Sequence, residues 1–204
     1  GVDGEWETEI TAIRRKEIEV CAKSCIRNQC SSPDIWLVFA PIKRLRIDFI
    51  AQKATELGVS MLWPVFTENT AVGRINIGRL KSNAIEAAEQ SDRLTVPEIG
   101  EPTEFEDLLK KWPEERFLFC CDETGGGKPI LQEFQKHTGP SGLLIGPEGG
   151  FSNSELDQLD KLSNVCRVSL GGRVLRSDTA AFAALACWQA SVGDWNIPPV
   201  RLKN

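Results

Sequence analysis

Three glycine-bearing segments each follow a short apolar run, and they carry the residues best suited to binding a ligand. They are DETGGG at 122–127, GPEGG at 146–150 and GGRVLRSDTA at 171–180. Glycine lets the backbone approach a ligand closely and adopt a positive φ. A single segment of this kind is usually only a tight turn between a strand and a helix. Three of them in one chain favour a bound ligand.

Several common site chemistries do not fit these segments. The run at 125–128 lacks the spacing of a phosphate-binding P-loop, and Pro129 stands where that motif needs Ser or Thr. No GxGxxG motif opens a helix after the first buried strand, which argues against a nicotinamide dinucleotide. Serine and cysteine hydrolases usually need a histidine base. His137, the one histidine of the chain, is predicted to be a solvated residue at a helix end.

The seven cysteines predict neither a disulfide framework nor a metal site. Their number is odd, no CxxC pair occurs, and His137 lies far in sequence from the group formed by Cys21, Cys25 and Cys30. An odd set in a chain of this size favours free thiols in a reducing compartment. We expect no bound metal.

Charge and composition limit the classes of partner. The chain of 204 residues has 24 basic and 29 acidic side chains, a formal net charge of −5. Nucleic acid would therefore be held by local basic patches and not by overall charge. Apolar residues make up 41%, as is usual in globular proteins. No apolar run is long enough to span a membrane, and we expect a cytoplasmic protein without a membrane partner.

From residue 35 onward, predicted strands alternate with predicted helices. Continuous apolar runs indicate buried strands, and apolar residues at helical spacing indicate helices, so the pattern predicts an α/β domain with a mostly parallel sheet. The strands are expected at 35–40, 59–66, 96–99, 117–121, 142–145 and 165–170, and the helices at 45–57, 77–91, 104–111, 130–136, 153–162 and 178–192. Because ligands bind beyond the carboxyl ends of parallel strands, the glycine-bearing segments are predicted to meet at one sheet edge.

The first 27 residues follow a different pattern. Residues 5–13 and 17–23 alternate β-branched and polar side chains on either side of a basic turn, which predicts a β-hairpin. A lone hairpin buries too little surface to be stable alone, so residues 1–27 are expected to be the remnant of an N-terminal β-domain. We expect a linker at 28–34, the main domain at 35–195 and a C-terminal tail at 196–204.

Four ordered motifs resemble those of the RsmE family, the 16S ribosomal RNA (uracil-N3)-methyltransferases of the SPOUT, or α/β-knot, superfamily. They are LIGPEGGFS at 144–152 followed by Glu155, LGGRVLRSDTA at 170–180, QKATELGV at 52–59, and EAAEQS at 86–91 followed by Arg93. Two positions depart from the pattern of many relatives, which have Glu at Asp178 and Arg at Asn69. Asp178 keeps the charge and the ability to cap a helix, whereas Asn69 weakens any RNA contact by its loop.

The resemblance implies a fold and a cofactor. The fold would be a SPOUT-type sheet flanked by helices with a C-terminal deep trefoil knot, preceded by part of a PUA-like RNA-binding β-barrel. The cofactor would be S-adenosylmethionine, with its adenine held by backbone groups of the second and third loops and with room left by the glycines. The implied cofactor-binding residues are Asp122, Glu123, Ile145, Gly146, Pro147, Gly149, Gly150, Leu170, Gly171, Arg173, Leu175 and Thr179.

The implied reaction is methyl transfer to N3 of a uridine in 16S ribosomal RNA. Neutral N3 carries a proton and is a poor nucleophile, so a fixed cation near O4 or O2 would favour the deprotonated base. Arg176 is the candidate cation and Arg173 the reserve, unless both only form salt bridges with Glu148 or Asp178. Glu148 is the candidate catalytic carboxylate. It would act as a base, or it would orient Arg176 or the cofactor.

The RNA contacts and the partner subunit are also expectations from the resemblance. Lys53, Gln90 and Arg93 fall inside motifs and are the candidate RNA-binding residues. The last helix is apolar nearly all round, so it must be buried in the core or against a partner, and relatives form homodimers through such helices. The alternatives are the same chemistry on another RNA such as tRNA, a non-catalytic RNA-binding module for ribosome assembly, or a generic nucleotide-binding protein.

Overall fold

The computed structural model describes residues 2–198, without the side chain of Arg44. In that range the chain forms an antiparallel hairpin and a separate parallel sheet that is flanked by helices. No helix there has the length and apolar character that crossing a membrane requires. Part of the predicted C-terminal tail, residues 199–204, lies outside the described residues.

The secondary structure follows the predicted alternation, and each predicted strand or helix is confirmed to within a few residues. The short strands β6 and β8 were not predicted. The strands are β1 (Glu5–Ile13), β2 (Ile18–Arg27), β3 (Ile35–Phe39), β4 (Met61–Phe66), β5 (Glu98–Ile99), β6 (Thr103–Glu104), β7 (Phe117–Cys121), β8 (Lys128–Pro129), β9 (Ser141–Ile145) and β10 (Val165–Ser169). The helices are α1 (Arg44–Glu56), α2 (Ile77–Gln90), α3 (Phe105–Lys111), α4 (Ile130–Phe134), α5 (Asn153–Leu159) and α6 (Ser177–Ser191).

The order of strands in the main sheet brings three of their ends together. The order is β5-β4-β3-β9-β7-β10-β8, with β6 also paired to β4, and the neighbouring strands are parallel. Cys121, at the end of β7, pairs with Ile145 of β9 on one side and with Val168 of β10 on the other. The loops that follow these three strands therefore start at the same level of one sheet edge.

Apolar side chains cover both faces of this sheet. Successive residues of a strand point to opposite faces, and Leu143 accordingly belongs to one core cluster while Leu144 belongs to the other. The first cluster packs under α1, α2, α4 and α6, and the second under α3 and α5. His137, just after α4, joins this packing: it is half-buried and its ring stacks on Phe117 with the centroids 3.6 Å apart. The prediction of a solvated histidine is wrong.

Helix α6 is fixed by a buried glutamine as well as by apolar contacts. The Gln189 side chain is fully buried, donates to the Leu57 carbonyl at 2.7 Å and accepts from the Asp194 amide at 3.0 Å. These bonds tie α6 to the C-terminal end of α1. Only one side of α6 is buried, however, and Phe182 on another side is only partly buried, with its ring edge-on to Phe49 of α1.

Candidate active site

A cavity of about 400 Å³ lies beyond the carboxyl ends of β7, β9 and β10. This volume is typical of sites for small molecules and cofactors. The cavity is lined mainly by the three glycine-bearing segments, as the strand pattern predicted. Gly150 and Gly171 have φ angles of +72° and +102°, in the left-handed region that favours glycine.

Most of the predicted site residues line this cavity. From the predicted catalytic and cofactor-binding sets, those that do are Asp122, Glu123, Ile145, Gly146, Pro147, Glu148, Gly150, Leu170, Gly171, Arg173, Leu175 and Arg176. Two do not. Thr179 is exposed in the first turn of α6, and a Cβ on Gly149 would lie 3.1 Å from the Asn69 Cβ. A side chain at Gly149 would therefore point toward Asn69, and a ligand contact by Gly149 stays a prediction.

The second loop is held from outside the cavity. Ser152 caps α5 and forms a capping box with Glu155, whose buried carboxylate also accepts from the Glu68 amide at 2.9 Å. Asn69 donates from Nδ2 to the Gly150 carbonyl at 3.1 Å. Asn69, which departs from the pattern of many relatives, therefore anchors the loop from the end of β4.

The first loop is held by an ion pair that involves Asp122. The side chain of Asp122 is completely buried and accepts from Arg167 Nε at 3.0 Å and Nη2 at 2.7 Å, and from the Thr124 amide at 2.8 Å. Burial alone would raise the pKa of this carboxyl, but the hydrogen bonds from Thr124 and Arg167 outweigh burial and hold the pKa below its ordinary value. The carboxylate of Asp122 is thus engaged in holding the loop.

The charged residues at the third loop are arranged differently from the expected salt bridges. Among the described residues, Arg173 and Arg176 have no hydrogen-bond or ion-pair partner for their guanidinium groups. Glu148 pairs instead with Arg46 of α1, with 3.2 Å between Oε1 and Nη1. Asp178 is also near Arg46, with 3.9 Å between Oδ2 and Nε. The two arginines that line the cavity therefore have their positive charge available.

The sequence of this chain matches a family of known chemistry. Residues 29–189 match the family described as the RNA methyltransferase domain. The Ribosomal RNA small subunit methyltransferase E of Rickettsia conorii is 33% identical over 187 residues, which cover 91% of this chain and 76% of that relative. The chain belongs to the RsmE family. Its match to the same-named enzyme of Synechocystis, at 30% identity, covers 91% of this chain but only 62% of that relative.

Solved structures agree with this family membership. The Ribosomal RNA small subunit methyltransferase E from Neisseria gonorrhoeae, bound to S-adenosyl methionine, has a TM-score of 0.82 and 28% identity, covering 95% of this chain and 82% of that one. A Legionella pneumophila protein in complex with the bound cofactor SAM has a TM-score of 0.81 and 30% identity, covering 92% and 78%. The mostly parallel sheet with flanking helices is thus the RsmE architecture.

The predicted RNA contacts of this RsmE-family chain lie outside the cavity. Lys53 is ion-paired with Glu56 at 2.7 Å, and Gln90 is exposed at the end of α2. Arg93 is mostly buried: it donates to the backbone carbonyls of residues 55 and 59 and to the hydroxyls of Ser32 and Thr95. Arg93 therefore joins the segment before β3 to the turn after α1, and its guanidinium is engaged in hydrogen bonds within the protein. An RNA contact by Arg93 stays a prediction.

Sequence reasoning missed other residues of the RsmE site. Cys121, Val168 and Ser169 line the cavity because they lie at the carboxyl ends of β7 and β10, in the last two residues of their strands, a position that the strand prediction could have supplied. Burial, with lesser effects of Cys187 and Glu123, raises the pKa of Cys121 to about 12. No pattern in the sequence indicated that Arg46 contacts the cavity wall, because its partner Glu148 is 102 residues away in the chain.

Within residues 2–198, no cluster of three or more His, Cys, Asp or Glu side chains could hold a metal ion.

The Asp122–Arg167 pair gives a testable pH dependence. At pH 7 we expect Asp122→Asn to lower the free energy of unfolding by about 2–3 kcal/mol, because the partly buried Arg167 loses a completely buried counter-charge. The folded-state pKa of Asp122 is lowered, so its contribution is complete above an unfolded pKa of about 3.9 and is lost as the pH falls through the folded value. Urea unfolding at pH 7 and at about pH 3.5 should show the wild-type advantage shrinking in acid.

The matched control is Asp160→Asn, which removes the exposed partner of the same Arg167. We expect it to cost less than about 1 kcal/mol, as exposed ion pairs usually do. Equal effects of the two substitutions, or an Asp122→Asn effect that is the same at both pH values, would contradict this account.

Proposed function

We propose that this chain is an S-adenosylmethionine-dependent methyltransferase that methylates N3 of a uridine in 16S ribosomal RNA, acting in the cytoplasm on the small ribosomal subunit. The observation that carries the proposal is one cavity that is lined by all three glycine-bearing segments and by two arginines whose guanidinium groups have no partner within the described part of the chain. The names of the Rickettsia and Synechocystis relatives support the RNA substrate. The Neisseria structure supports the cofactor.

The residues of the cavity fit S-adenosylmethionine. An added Cβ at Gly171 or Gly172 would meet nothing within 4 Å, so the third loop borders open space. As the family resemblance implies, the adenine would be held by backbone groups of Ile145, Gly146, Leu170 and Leu175. When bound, the cofactor supplies a methyl group activated by its positive sulfonium. The arginines and the hydrogen-bonding backbone of the loops supply the remaining recognition.

Arg176 is the residue that we assign to the chemistry of the base. Uridine N3 would give up its proton to solvent, and the negative charge that results is shared with O2 and O4. The N3 lone pair would then form the new N–CH3 bond as the methyl–sulfur bond of the donor breaks, which leaves neutral S-adenosylhomocysteine. A guanidinium that stays charged and offers several donors stabilises that charge. Arg173 would contact a phosphate or the methionine carboxylate. Glu148, already paired with Arg46, would orient this wall of the cavity and would not take the proton.

The finer features of the fold belong to the same proposal. The chain runs through β7, β9 and β10, but their order in the sheet is β9-β7-β10, and α6 then packs back against α1, α4 and β9. The family resemblance would make this part of the chain a trefoil knot, as an exception to ordinary topology. The hairpin of β1 and β2 would belong to a PUA-like domain that helps to hold RNA.

Cofactor binding is tested by filling the cavity at a glycine that tolerates a side chain. We expect Gly172→Leu to fold normally and to weaken S-adenosylhomocysteine binding by about tenfold or more, because the new side chain takes up cavity space. Gly73→Leu is the matched control, since a Cβ there also meets nothing within 4 Å and Gly73 does not line the cavity. Calorimetric titration measures both. An unchanged affinity of Gly172→Leu for S-adenosylhomocysteine would show that the cofactor does not bind in this cavity.

The role of Arg176 predicts a separation between turnover and binding. Arg176→Ala should lower kcat for methyl transfer to 16S ribosomal RNA by about 10²–10³-fold, the usual cost of removing one group that stabilises developing charge. Its dissociation constant for S-adenosylhomocysteine should change by less than about threefold, because the arginine acts on the base. Equal losses in both would assign Arg176 to the cofactor. Normal turnover of Arg176→Ala would show that Arg176 is not the cation that stabilises the deprotonated base.

We also propose a homodimer formed through α1 and α6. Leu45 on α1 is 83% exposed and lies on the same helix as the half-exposed Phe49, which contacts Phe182 of α6. Sedimentation velocity should show a particle of twice the 22.6 kDa chain mass. Leu45→Glu should shift it toward monomer by placing a charge in the apolar interface, whereas Ile18→Glu on the exposed hairpin should not. A concentration-independent monomer would overturn the proposal.

A further inference from the structure

Arg46 stands at the junction of three elements beside the cavity. It lies in the first turn of α1 and reaches Glu148 in the cavity wall at 3.2 Å and Asp178 in the first turn of α6 at 3.9 Å. Arg176, the N-cap residue of α6, lines the same cavity as Glu148 and precedes Asp178 by two residues. One cation thus pairs with two carboxylates, one in the same cavity wall as Arg176 and one two residues after Arg176 in the chain.

The cavity wall carries three carboxylates, and two of them are paired with arginines. Asp122, Glu123 and Glu148 are its carboxylates. Arg167 holds the first and Arg46 holds the last. Among the described residues, the guanidinium of Arg176 forms no ion pair.

We propose that Arg46 is a positioning residue, which holds Glu148 and Asp178 and thereby keeps the guanidinium of Arg176 free for the substrate. The inference rests on the proposed function, in which Arg176 is the cation that acts on the base. Arginine and carboxylate form strong charge-assisted pairs, often with two parallel hydrogen bonds. If Arg46 were removed, a freed carboxylate would pair with Arg176 and offset the charge that the reaction needs.

The exposure of the pair makes Arg46 a suitable position for substitution. The Arg46 side chain is 30% exposed and that of Glu148 is 41% exposed. Ion pairs of this kind contribute little to stability, so the variants should fold. Arg46→Ala is expected to lower kcat by about tenfold or more, while the dissociation constant for S-adenosylhomocysteine changes by less than about threefold. Arg46→Lys keeps the charge and should recover most of the turnover.

The decisive variant is the double substitution Arg46→Ala with Glu148→Gln. If a freed Glu148 captures Arg176, then neutralising it should raise kcat about fivefold or more above that of Arg46→Ala alone, a coupling that a double-mutant cycle measures. If Arg46 served only as a structural link between α1 and the second loop, Glu148→Gln would not restore turnover, because glutamine cannot replace the lost arginine contact. Equal or slower turnover in the double variant overturns the proposal.

Arg79→Ala is the matched control. Arg79 pairs with Asp48 at 2.6 Å on the neighbouring helices, away from the cavity, and its removal should leave turnover unchanged. The reference is the turnover of the wild-type enzyme with small ribosomal subunits as substrate. If the wild type binds S-adenosylhomocysteine but methylates no ribosomal RNA, the proposed function fails and this inference falls with it. If the wild type is active and Arg46→Ala behaves like Arg79→Ala, only the role of Arg46 is lost.

Discussion

The backbone of Cys121 pairs with Ile145 on one side and with Val168 on the other, so β9, β7 and β10 end at one level of the sheet. Everything at the site follows from this register. The three loops begin side by side, and their glycines can surround one volume. A shift of one residue in any of the pairings would turn the last side chain of that strand to the opposite face and displace its loop from the cavity.

The loops owe their positions to residues that contact them from outside the cavity. Arg167 holds the first loop through Asp122, and Asn69 holds the second through the Gly150 carbonyl. Arg46 connects the second loop with the start of α6. The inner surfaces are thereby left to glycines, backbone groups and Arg176, whose guanidinium forms no ion pair within residues 2–198. Such a surface is organised before a ligand arrives, which reduces the ordering that binding must impose.

The sequence allowed the sheet, its helices and most of the cavity lining to be predicted. The buried strands are continuous apolar runs, and the rule that ligands bind at their carboxyl ends then selects the loops. The direction of individual side chains could not be predicted in this way. Gly149 faces Asn69, and Arg93 reaches Ser32, because segments distant in the chain pack together. No period or spacing in the sequence encodes such contacts.

The raised pKa of Cys121 has a consequence for the chemistry of the site itself. With a value of about 12, this cavity-lining cysteine is a neutral thiol at physiological pH. Thiolates are the nucleophilic form of cysteine, and they would compete for an activated methyl group. Burial therefore keeps the Cys121 sulfur in its less nucleophilic, protonated form beside the site of the proposed donor.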